Sequence, residues 1–143
     1  MPNLDANEEK LIKLLIFIDL AGEIAGKTKL QKLVFLGDRE FKLNSGFNFE
    51  KYNYGPYSFE LSEYLSALKT LNLISVDTEF FDTDDTFIGK KITYKITEEG
   101  KTLAEKRVSD FPDFINSSKE VISKWANKPL DTIIEYVYAN YMK

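Results

Sequence analysis

The chain has 143 residues, 43% hydrophobic, 14% aromatic and 29% charged, with 19 basic against 23 acidic residues and neither cysteine nor histidine. That length fits one domain, at roughly 100–200 residues per domain, and the apolar share is that of a globular chain with a sizeable core. Lacking Cys and His, it has no disulfides, no thiolate nucleophile, no Cys-ligated zinc, and neither the commonest metal ligand nor the commonest general base near neutral pH. The expectation is a protein without catalytic residues, metal or cofactor.

The opening MPNLDANEEK carries no basic region, and the apolar run LIKLLIFIDLAG is interrupted by Lys13 and Asp19. It also falls short of the ~20 apolar residues that span a bilayer, so a soluble, cytoplasmic protein is expected. Glu8 to Ala21 reads as a first helix, with Leu11, Leu14, Leu15 and Ile18 at helical spacing and Ile12, Ile16 and Phe17 widening the apolar face. Such breadth suits a central helix or one with a partner surface.

A second helix is expected from the T-x-x-Q capping box of Thr28 and Gln31, with Leu30, Leu33, Val34 and Phe41 as its buried stripe and Asn44-Ser45-Gly46 as its end. The stretch Phe47 to Tyr57, FNFEKYNYGPY, reads as an ordered loop. Its Tyr52, Tyr54 and Tyr57 around Gly55-Pro56 are a candidate stacking platform for a peptide or a base, against the plainer reading that the rings staple the loop to the helices. Ser58 can cap a third helix carrying Leu61, Tyr64, Leu65, Leu68 and Leu71, and Asn72 suits a left-handed end.

From there the pattern turns to a two-stranded hairpin, LISVDTEFF and TFIGKKITYKI, joined by the acidic tip Asp82-Thr83-Asp84-Asp85. A helix from Thr97 to about Val108 follows. Beyond the break at Pro112, two more helices run near Phe114 to Trp125 and Leu130 to Tyr141. The fold class is therefore mainly α with a small β-hairpin: a winged helix-turn-helix-like core over 1–108 and a C-terminal helical extension over 109–143. Tyr136, Tyr138 and Tyr141 fall on more than one face of the last helix, which suits a homodimer seam, and Trp125 suits a core pin between the last two helices or, second, a subunit contact.

The segment KLQKLVFL (29–36), the motif Tyr54-Gly55-Pro56-Tyr57-Ser58 and Leu73-Ile74 together resemble the YwgA-like family and its distant SocA/Panacea antitoxin relatives; the closing Ile134-Glu135-Tyr136-Val137-Tyr138 is similar more weakly. The resemblance implies a winged-helix-type helical domain and, in the antitoxin branch, a neutraliser or proteolytic adaptor of toxins. It carries over no catalytic residue.

Charge argues against DNA contact through the expected recognition helix and wing. The third helix offers Glu60 and Glu63 against a late Lys69, and residues 72–89 hold five acidic residues and no basic one, whereas DNA affinity rests on neutralised phosphates. Adjacent strand residues point to opposite faces, so Phe80 and Phe81, facing Phe87 and Ile88 across the tip, cannot all enter one core. The first reading is thus a protein-binding regulator or antitoxin-like adaptor using Glu60, Glu63, Phe80, Phe81, Asp84, Asp85 and Phe87. The plainer alternative packs these aromatics on the C-terminal helices.

The second reading is a DNA-binding regulator using a basic face of Lys27, Lys29, Lys32, Lys90, Lys91 and Lys95. The remaining motifs point nowhere in particular. Glu60 and Glu63 at i, i+3 have no third ligand, and G-x-x-x-G-K-T at Gly22 to Thr28 lacks one spacer of a phosphate loop and follows a helix instead of a buried strand. Carboxylate-only chemistry of the glycosidase type needs just two carboxyl groups, but no constellation suggests it.

Overall fold

Two apolar helices form the axis of the molecule, whose computed structural model describes residues 6–52, 55–82 and 88–142. The first, α1 (Ala6–Ala21), buries Ile12 and every residue from Leu14 to Ile18, as expected of a helix apolar on most sides. Lys13 interrupts the run at little cost, because its ammonium lies 5.6 Å and 5.5 Å from the rings of Phe111 and Phe114. The second, α2 (Lys27–Glu40), buries eight consecutive residues from Leu30 to Gly37, far more than the single stripe expected.

Between them lies a short strand, β1 (Glu23–Ala25), and after α2 come β2 (Glu50–Tyr52) and β3 (Gly55–Tyr57), a two-stranded ladder. None of the three was legible as a strand. The third helix, α3 (Phe59–Thr70), leads into the hairpin β4 (Ile74–Asp82) and β5 (Ile88–Ile96), which forms as expected. β5 is the centre of a three-stranded antiparallel sheet, flanked by β1 in the register Ile24 to Tyr94 and by β4 in the register Val76 to Tyr94. That leaves β4 at an edge.

The chain closes with α4 (Glu98–Arg107), a 3-10 turn (Val108–Asp110), α5 (Pro112–Trp125) and α6 (Leu130–Tyr141). Local signals place these boundaries well. Ser58 accepts from Leu61 N and caps α3, Thr97 accepts from Gly100 N and caps α4, and Pro112 occupies the first turn of α5. Asn72 adopts φ 61 and closes α3, with its N–H donating to Lys69 O and that of Leu73 to Leu68 O.

Two local expectations fail. The capping box of α2 does not form: Gly26 is the cap, without a side-chain bond, and Gln31 turns into the interior. The helix ends at Glu40, four residues before Asn44, as Lys42 and Asn44 both enter the left-handed region. In the interior, α4, α5 and α3 pack on α1, and α5 and α6 pack on α2. One hydrophobic cluster joins Leu15 and Leu36 to Val121, Trp125, Ile133 and Val137, so the C-terminal helices share the core of the preceding elements. Each such fully buried aliphatic or aromatic side chain contributes ~1.5–3 kcal/mol.

Candidate functional site

Three of the buried polar residues, Gln31, Lys32 and Ser58, meet where α2 crosses β3 and the start of α3. Gln31, wholly buried, donates from Nε2 to Ser58 O at 2.8 Å and accepts from Ser58 N at 2.8 Å. This paired bond fixes the residue that caps α3, whose Oγ accepts from Leu61 N at 3.0 Å. The next residue, Lys32, is 1% exposed and donates from Nζ to Pro56 O at 3.0 Å. It forms no ion pair among the described residues, and burial pulls its pKa down from the ordinary lysine value to about 8. The backbone here admits only glycine: Gly55 sits at φ 103, and a Cβ would come within 3.3 Å of Lys32 Cε.

Beside this junction is a cavity of about 230 Å³ lined by Thr28, Lys32, Tyr52, Gly55, Tyr57 and Phe59. Three rings make its wall, with centroid separations of 5.7 Å for Tyr52–Tyr57, 5.4 Å for Tyr52–Phe59 and 5.0 Å for Tyr57–Phe59. Two of the three expected platform tyrosines thus come together with a phenylalanine; Tyr54 lies outside the described residues. Neither Phe59 nor Thr28 is marked as part of a platform by the local sequence pattern, in which Thr28 fits a helix cap.

The second candidate is the hairpin. Phe80 is 70% exposed and Phe81 52% exposed, so neither packs on the C-terminal helices. Their cross-strand partners are Lys90 and Gly89, not Phe87 and Ile88 as expected. The Phe81 ring lies on the backbone of Gly89, where a Cβ would stand 2.1 Å from Cε2. Asp84, Asp85 and Phe87 lie outside the described residues. Glu63 is exposed on α3, but Glu60 is turned to α1, where Lys10 Nζ donates to Oε2 at 2.9 Å; the two do not form one acidic face.

The expected basic face does not assemble either. Lys32 is interior and bonded to Pro56 O. Lys95 lies 4.0 Å from Glu23, and Lys91 faces Glu79 in the strand register. What does converge is Lys27 and Lys90 with Lys69, which lies late in α3 and outside the expected basic face. All three rim a groove of about 280 Å³ between α3 and the hairpin, floored by Leu65, Val76 and Tyr94.

At the far end, Tyr136 and Tyr141 both donate to Glu40 Oε2, at 2.5 Å and 2.6 Å. Burial first and the Glu40 carboxylate second push the Tyr141 pKa up to about 12. These two tyrosines of the expected dimer seam therefore tie α6 to α2, while Tyr138 is 40% exposed. Trp125 is buried and meets Tyr136 at 4.6 Å, pinning α5 to α6. Among the described residues, no group of three or more acidic side chains could hold a metal ion, and no helix is long and apolar enough to cross a membrane. A scan against protein-family models and a search of curated proteins found no match to the chain.

Proposed function

We propose that the protein is a non-enzymatic winged-helix interaction module that docks a partner protein on the hairpin arm, in a cytoplasmic, regulatory or antitoxin-like setting. One observation carries this reading: two adjacent phenylalanines stand 70% and 52% exposed on the edge strand β4. Successive strand residues face opposite ways, so each side of the arm presents an aromatic ring, the residue type enriched at interface cores. An edge strand also presents unpaired backbone groups, which an incoming strand can complete.

Asp77 and Glu79 on the same strand give the partner its chemistry: an extended segment with Lys or Arg alternating with apolar residues. Support for the winged-helix assignment comes from the element order α1, β1, α2, α3, β4, β5 with the sheet order β1-β5-β4. The resemblance to the YwgA-like and SocA/Panacea families supports the setting. The test is affinity capture from nuclease-treated cell extract with the wild type and with Phe80→Ser/Phe81→Ser. Proteins held by the wild type and lost with the double variant are the expected result; nucleic acid alone, or the same proteins on both baits, overturns it.

A second reading, a DNA-binding regulator, is favoured by the convergence of Lys27, Lys69 and Lys90 on one groove. Three neutralised phosphates predict a log–log salt slope of about −2.7. The acidic β4 beside that groove is why it ranks second.

A further inference from the structure

We infer that the cavity beside the α2–β3 junction is a binding site for a small organic carboxylate with a planar apolar body, whose charge is met by Lys32. Interior cations are paired as a rule, yet Lys32 has one neutral acceptor, Pro56 O, and no ion pair among the described residues. The counterpart that the amine lacks is an anion. Gly55 keeps the approach open, since even a Cβ there would stand 3.7 Å from Nζ.

The surroundings favour the same sign. Thr28 lies one turn before Lys32 in the first turn of α2, where the helix contributes partial positive charge and no acidic residue opposes it. Thr28 lines the same cavity. The Tyr52, Tyr57 and Phe59 rings supply an apolar wall that a bare inorganic ion would leave unused. About 230 Å³ is the space of roughly eight waters, below the ~300 Å³ at which drug-sized sites begin, so one ring and its carboxylate fill it. Half-exposed Tyr52 and Phe59 form the mouth. This site shares no residue with the hairpin arm, so either proposal can fail alone.

The test titrates 15N-labelled full chain with benzoate, 4-hydroxybenzoate and, as a neutral control, benzamide, following the amides of Thr28, Lys32, Gly55 and Tyr57. Millimolar carboxylate should move these signals, and benzamide should not. Lys32→Met should weaken binding by about tenfold or more, the effect of losing one charge-assisted hydrogen bond, while keeping a folded spectrum. Phe59→Ala, on the surface, should weaken it severalfold with the fold unchanged. No shift with either carboxylate, equal shifts with benzamide, or full affinity in Lys32→Met would overturn the assignment.

Discussion

The α2–β3 junction and the hairpin arm treat their unusual residues in opposite ways. At the junction a glutamine and a lysine are drawn into the core, and each is held by backbone groups of a distant segment: Ser58 for Gln31, Pro56 for Lys32. On the arm two phenylalanines are pushed into solvent, one of them lying over Gly89. Polar inside and apolar outside are both costly, and the difference in cost is instructive. A buried polar pair ties together elements that nothing local would join, whereas an exposed aromatic contributes little to the isolated fold.

Changes at the junction should therefore be severe. Gln31→Leu keeps the volume but leaves Ser58 N buried without its partner, while Ser58 O retains the Ser62 N–H. At about 1–3 kcal/mol for the orphaned group and about 1 kcal/mol for the other lost bond, the loss is about 2–4 kcal/mol. Urea unfolding measures it, and a loss under about 1 kcal/mol would mean that the paired bond does not organise α3.

Lys32 gives a pH signature. Its pKa is lower in the folded state than in the unfolded chain, so between the two values the unfolded state binds more protons and stability rises with pH. From pH 7 to 9.5 the wild type should gain about 2 kcal/mol relative to Lys32→Met, taking a folded value of about 8. Parallel curves for the two proteins would place the amine in water.

Glu40→Gln, which removes the charge shared by the Tyr136 and Tyr141 hydroxyls, should cost about 1–2 kcal/mol. It should also bring the ionisation of Tyr141 down from about 12, as ultraviolet titration would record. The smallest effect belongs to the arm. Phe80→Ser/Phe81→Ser should change stability by no more than about 1 kcal/mol, and a larger loss would show that these rings serve the fold.

The same contrast explains what was legible in the sequence. Helix periodicity, the caps Ser58 and Thr97, the left-handed Asn72 and the hairpin are written in neighbouring residues, and the structure follows them. β1 is three residues long and exists only because β5 pairs with it. Gln31 satisfies a local capping pattern, but Ser58, 27 positions away, offers both a donor and an acceptor and wins it. Lys32 looks solvated by residue type and is buried because α2 is covered on every side. The aromatic pocket was half visible as tyrosines around Gly55-Pro56, while the Phe59 wall needed the chain to turn back on itself.

The central claim, that the hairpin arm receives a protein and not a duplex, is tested most directly by fluorescence-anisotropy titration of labelled duplex DNA at low and moderate salt. It should be run with the wild type, Lys27→Glu/Lys69→Glu/Lys90→Glu and Phe80→Ser/Phe81→Ser. The account predicts no saturable, salt-steep binding by any of the three. Binding by the wild type with a slope near the value for three phosphates, abolished by the lysine variant and untouched by the phenylalanine variant, would contradict it.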